Sequence, residues 1–239
     1  MASSSAKRVN VMTREKFNQI YTRAAERKGG DIALEQRLST PLSCTELQQI
    51  TDDRWLACLT QKIFQCGIRW QVVRNKWDGF EKVFFGFDIE KMGLMPEEMW
   101  ERKAQDPEII RDLKKVMTIP DNANMIHRAA IEYGSFANMV AEWPEQDIVG
   151  LWLYLKNHGK RLGGKTGAYS LRAMGKDSFL FTKDVESYLR HTGIVDGGRD
   201  TLKSWRNAQH AFNDWQQESG RSLTEISQII AYSVGDNRV

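Results

Sequence analysis

Residues 151–176 read LWLYLKNHGKRLGGKTGAYSLRAMGK. An amphipathic helix ends at His158 and Gly159, a short turn holds Leu162, Gly163 and Gly164, and a second helix starts at Lys165 and Thr166. Over about 150–176 this is a helix–hairpin–helix layout. Glycines let the backbone approach an anion closely, and the free N–H groups that open the second helix face that anion. Residues 156–176 hold six Lys or Arg and no Asp or Glu. Phosphate of a nucleic acid fits this charge. A plain helical hairpin with a solvated basic face fits the same residues, and the segment alone leaves both readings open.

The rest of the chain sets the context. Its 239 residues are 41% hydrophobic, with eight Trp and ten Phe, enough for an aromatic-rich core. Net charge is only +3, so a nucleic-acid surface has to come from local clustering. Cys44, Cys58 and Cys66 form an odd, scattered set without a CxxC pair or a His at metal spacing, which favours a reduced, cytoplasmic protein over a disulfide or zinc scaffold. No apolar run reaches membrane-spanning length. Residues 1–12 lack the apolar centre of a signal peptide and are expected to be a flexible leader to one domain over 13–239.

Alternating strand patterns are nearly absent, whereas 3.6-residue periodicity recurs, so the fold class expected is all-α. The spacing predicts helices over 13–28, stopped by Gly29 and Gly30, and over 32–38, capped by Asp31. Ser43 and Glu46 fit a capping box. Leu59, Ile63, Cys66 and Trp70 then predict one long helix from Asp52 to about Trp70. Shorter helices are expected over 78–84, 88–92, 96–105 and 107–117, and one from Asn122 to Tyr133, stopped by Gly134. Further helices over 145–157, 166–175, 182–192, 199–218 and 222–233 complete the chain.

Several blocks in order resemble the DNA-3-methyladenine glycosylase I family of helix–hairpin–helix DNA glycosylases. They are QCGIRWQVVRNKWDGFEKVFFGFDIEKM (65–92), DPEIIRDLKKVMTIPDNA (106–123), EYGSF (132–136) and LKNHGKRLGGKTGAYS (155–170). In the second block the matching residues are Ile109, Ile110, Arg111, Lys115, Asn122 and Ala123. The similarity spans roughly 55–195. It implies an all-α, two-lobed fold with a base-binding cleft between the lobes. It also implies hydrolysis of the N-glycosidic bond of an alkylated purine, 3-methyladenine first, in double-stranded DNA containing the damaged base. A monomer without cofactor is expected.

The departures from the family pattern shape the candidate site. The family's terminal zinc-ligating His is matched by Asp184, and no cysteine follows it, so no metal is expected. Asp184 suits the N-terminal turn of a helix. The aspartate that most helix–hairpin–helix glycosylases place after the hairpin is matched by Thr182; the methyladenine group also lacks that aspartate. A glutamate that lies eight residues before the family's pocket tryptophan is matched by Lys62, a reversal of charge.

Trp70 is the candidate wall for a flipped base, where an indole face would favour a cationic alkylpurine by on the order of 1–2 kcal/mol. Read by spacing alone, Trp70 is a core residue. Lys62 has three readings: a solvated side chain, a pocket cation that repels a cationic base, or an amine that attacks C1′. Gln65 and Arg69 share its helical side, and Gln65 is a candidate for the base edge. Tyr21 and Glu26, in YTRAAERKG (21–29), offer a ring and a carboxylate. The catalytic candidates are thus Lys62 and Glu26, and the base-binding candidates Trp70, Gln65 and Tyr21. The DNA-binding candidates are Lys160, Arg161, Gly163, Gly164, Lys165, Thr166, Thr182 and Lys183.

Overall fold

Trp55, Leu56, Leu59, Ile63 and Phe64 are each at most 1% exposed. A helix carrying apolar residues on so much of its circumference has to be surrounded by other elements. The helix Asp52–Gln65 is that central element. The structure is a computed structural model and describes residues 14–198 and 201–234. The expected leader therefore lies outside the described residues.

In chain order the first helices are α1 (Phe17–Lys28), α2 (Asp31–Glu35), α3 (Cys44–Gln48), α4 (Asp52–Gln65) and α5 (Trp70–Asn75). Next come α6 (Trp77–Val83), α7 (Ile89–Leu94), α8 (Glu97–Lys103), α9 (Leu113–Val116), α10 (Thr118–Tyr133) and α11 (Phe136–Glu142). The last are α12 (Ile148–His158), α13 (Lys165–Ala173), α14 (Lys183–His191), α15 (Leu202–Ser219) and α16 (Leu223–Ser233). Single 3-10 turns cover Phe85–Phe87 and Glu145–Asp147. Among the described residues there is no strand.

Local chemistry explains many of the boundaries. Gly29 ends α1 in the left-handed region (φ 91°), where a side chain is costly. Ser43 and Glu46 form the expected capping box. Asp31 lies in the first turn of α2 and is not its cap; Gly30 is. The expected helix over 107–117 is only Leu113–Val116, because Asp112 caps Lys115 N and starts the helix there.

The largest correction concerns 52–70. The helix ends at Gln65; Cys66 is extended and Gly67 has φ +77°, so Trp70 opens a separate helix. The spacing of Leu59, Ile63, Cys66 and Trp70 continues across this break. Leu59 and Ile63 are core, whereas Trp70 is 53% exposed.

The helices gather in two groups. Around α4 pack α5, α7, α9, α10, α11 and α13, with Trp55 edge-on to Phe136 at 5.4 Å and Phe64 edge-on to Phe80 at 4.7 Å. The first and last described helices form the other group: α1 lies on α16, α15 and α2, and α14 lies on α16. Glu15, just before α1, accepts from Arg23 at 2.6 Å and from Tyr188 Oη on α14 at 2.8 Å. Asp177 holds the first amides of α16, Leu223 N at 3.0 Å and Thr224 N at 2.8 Å. α12 joins the groups, packing on α13 and α15, and its Trp152 meets Phe179, which stacks on Phe212 at 4.4 Å. The buried apolar residues form one continuous core.

Candidate nucleic-acid and base-binding site

The hairpin between α12 and α13 is shaped by its own sequence. Leu162, 1% exposed, anchors it in the core. Gly167 N donates to Leu162 O at 3.1 Å, and a Cβ on Gly167 would come within 2.5 Å of that same oxygen. Gly164 takes φ 59°, ψ −127°, a conformation essentially reserved for glycine. Arg161 is also left-handed, with φ 57°. A neighbouring clamp holds this turn. The buried Asn122 of α10 accepts from Lys160 N at 2.7 Å and donates to Lys160 O at 3.2 Å.

In the N-terminal turn of α13, which follows Gly164 directly, Gly167 N donates to Leu162 O and Thr166 N, at 3.4 Å, to Gly163 O, while Lys165 N opens the helix with no intrahelical acceptor. Lys160, Arg161 and Lys165 are exposed around it. The basic run is less uniform than its sequence implies. Lys176 is 3% exposed and donates to Ala141 O and Trp143 O at 3.2 and 2.8 Å. Arg172 is half-buried and donates to Ser178 O. The exposed cations are thus concentrated at the hairpin.

α13 lies against α4 through one stripe of side chains. Cys66 Sγ lies 3.3 Å from Thr166 Oγ1, and Cys58 Sγ lies 3.8 Å from Ser170 O. Lys62 stands four residues from each cysteine, hence on the same helical face. Its ammonium contributes to the field at Cys58, whose thiol burial pushes up to about 11. Lys62 Nζ donates to Gln65 Oε1 at 3.3 Å and lies 5.6 Å from the centre of the Trp70 ring. The break at Gly67 folds Trp70 back toward the preceding helix. Lys62, Gln65 and Trp70 therefore form one cluster beside the hairpin helix.

A second brace secures the end of α4. Lys115 is 6% exposed, and its Nζ donates to Cys66 O at 2.7 Å and Phe64 O at 3.2 Å. Burial lowers its pKa from the usual lysine value. Lys115 and Asn122 come from one block, 106–123, and fix the two sides of the site, α4 and the hairpin. Sequence reasoning matched both residues to a family without assigning either a task. Their signal was a lysine and an asparagine on otherwise apolar stretches.

Two expected members lie elsewhere. Tyr21 Oη donates to Glu35 at 2.8 Å, and Arg221 covers its ring at 5.1 Å. Burial, then Glu35, raises the phenol to about 12. Glu26 is exposed on α1. Neither is joined to the Lys62 cluster by any hydrogen bond or ring contact among the described residues. Thr182 caps α14, accepting from Val185 N at 3.2 Å; Lys183 is exposed one residue later, and Asp184 lies in the first turn. Among the described residues no group of three or more His, Cys, Asp or Glu is arranged to hold a metal. No helix there is long and apolar enough to cross a membrane.

The sequence pattern of the family described as Methyladenine glycosylase matches residues 47–197, which include both braces, the Lys62 cluster and the hairpin. The chain belongs to the methyladenine glycosylase family. This glycosylase is similar in fold to a solved 3-methyladenine DNA glycosylase I: 24% identity, 60% of this chain and 86% of the other, TM-score 0.46. The 3-methyladenine DNA glycosylase I of Staphylococcus aureus is 19% identical over 68% of this chain and 87% of its own, TM-score 0.48. An 8-oxoguanine glycosylase/lyase of Methanocaldococcus jannaschii, solved with DNA containing 8-oxoguanine, is 17% identical over 90% and 96%, TM-score 0.48. No curated protein matches the chain in sequence. The methyladenine glycosylase is a hydrolase of the N-glycosidic bond that acts on an alkylated base in DNA.

Proposed function

We propose that this glycosylase takes an alkylated purine out of duplex DNA and holds it beside Trp70 while water cleaves the glycosidic bond. The hairpin binds one phosphate through the N–H groups of Gly163, Gly164, Lys165 and Thr166, with Lys160 and Arg161 adding charge. Thr182 and Lys183, at the start of α14, reach the same strand. The half-exposed Trp70 ring offers a stacking face to the base. The observation that supports this reading most is the contact of Cys66 with Thr166, which brings the end of α4 to the opening turn of the hairpin helix.

Alkylation at a ring nitrogen makes the base a good leaving group. The C1′–N bond breaks with its electron pair going to the base. A water oxygen then bonds to C1′ and releases a proton to solvent. Binding that favours the separated, oxocarbenium-like state suffices, without a strong acid. The protein acts as a monomer in the cytoplasm and needs no metal.

The test is release of free methylpurines from methylated duplex DNA. Release by the wild type, and a loss of at least about tenfold in Trp70→Ala with its melting temperature unchanged, supports the reading. No release of any methylpurine at high enzyme concentration refutes it. Because water is the nucleophile, borohydride should trap no covalent adduct; a trapped adduct lost in Lys62→Met would show that the lysine attacks C1′ instead.

A further inference from the structure

Lys62 has three N–H donors and no acceptor. Gln65 has one side-chain acceptor, its amide oxygen, and that oxygen already receives Lys62 Nζ at 3.3 Å. Because an ammonium cannot accept, this contact fixes which way the amide points. Gln65 keeps both N–H donors of its Nε2 and one further lone pair on that oxygen. The indole N–H of Trp70 is a donor as well. The Lys62, Gln65 and Trp70 side chains therefore offer more donors than acceptors, and their one charge is the Lys62 ammonium.

Purines differ on the edge such a cluster would meet. A 6-amino purine presents an N–H₂ group, which needs an acceptor and would face the Lys62 ammonium donor to donor. A 6-keto purine presents an oxygen in the same place; an unalkylated N7 is an acceptor in both, so the 6-substituent makes the difference. A carboxylate at the position of Lys62 would favour the amino edge; an ammonium favours the keto edge.

We propose that Lys62, with Gln65, makes this pocket select 6-keto alkylated purines, the methylguanines, over methyladenine. The proposal rests on the glycosylase reading above and narrows its substrate class. Lys62 touches the base and acts on specificity. The field of the ammonium works in the same direction, since a carbonyl oxygen is the most negative atom of that edge.

The experiment compares 3-methylguanine with 3-methyladenine, which are alkylated at the same nitrogen and differ at the 6-substituent. Both are measured as initial release from one methylated duplex, with spontaneous depurination subtracted. The wild type should release 3-methylguanine about tenfold faster, the discrimination one charge-assisted hydrogen bond supplies. Lys62→Met should remove the preference, and Lys62→Glu should reverse it, each in protein shown to be folded by circular dichroism. Equal or faster release of 3-methyladenine by the wild type overturns the proposal and leaves the glycosylase reading standing. A wild-type preference for 3-methylguanine that persists in folded Lys62→Met also overturns it. Release of neither base overturns the glycosylase reading itself.

Discussion

Lys115 braces the end of α4, between Lys62 and Trp70. Its buried ammonium satisfies two carbonyls at the end of α4, so removing it leaves those acceptors without their donor. Lys115→Met should cost about 1–3 kcal/mol in a denaturant titration and lower base release beyond that loss of stability. Unchanged stability would show that water replaces the ammonium freely. The cysteines give a second residue-scale expectation. Cys44 and Cys66 are exposed, whereas burial raises the Cys58 thiol from 9.0 to about 11. The folded pKa is above the unfolded one, so this thiol's contribution to stability is complete below pH 9.0 and is lost as pH rises through about 11. A maleimide reagent should label Cys44 and Cys66 first and Cys58 only as the protein unfolds. Lys62 and Trp70 were legible as a pair in the sequence. The partners that hold Tyr21, Glu35 and Arg221, were not legible, because they lie 14 and 200 positions along the chain.

Among the elements, the hairpin carries the DNA contact, and its backbone geometry is the sensitive part. No atom stands within 4 Å of a Cβ built on Gly164, so strain and not a clash decides its substitution. Gly164→Ala should cost about 1–3 kcal/mol of local strain, paid in part by a distorted hairpin, and weaken binding to duplex DNA in an anisotropy titration. Gly167→Ala should destabilise the fold itself, since its Cβ meets the Leu162 carbonyl. Full DNA affinity in Gly164→Ala would remove the hairpin from the interface. Helix starts and stops marked by a capping box or a left-handed glycine, as at Ser43, Gly29 and Gly134, could be read from residue types. The end of α4 could not. Apolar spacing persists from Leu59 to Trp70, and periodicity does not register that Gly67 has turned the backbone. That missed turn converts Trp70 from a core residue into a half-exposed ring beside Lys62.

Across the whole molecule, the segment leading into α1 is tied to α14 through Glu15, Arg23 and Tyr188. The hydrogen bond from Arg23 is the main cause that holds the Glu15 carboxyl below its ordinary value. A depressed folded pKa gives stability that is present above the usual carboxylate range and lost as pH falls. Glu15→Gln should therefore lower the melting temperature near neutral pH and reduce the loss on acidification; an unaltered acid limb would assign that loss to other carboxylates. The low net charge with a local cluster at the hairpin makes a further demand. DNA binding should weaken with salt at a slope of about 0.9 per phosphate neutralised, and the slope should drop by about one unit when Lys165 is replaced by Met. The all-α class and the family were legible because many ordered residues carry them. The way α13 meets α4 was not, since that contact joins side chains a hundred positions apart.

Excision of a base at the junction of α4, Trp70 and the hairpin is read most directly by single-turnover incubation of wild-type, Trp70→Ala and Gly164→Ala protein with a methylated duplex, counting free methylpurines. The wild type should release them, Trp70→Ala should lose the chemical step, and Gly164→Ala should show a loss that saturating enzyme partly restores. Equal release by all three proteins would place the excision elsewhere.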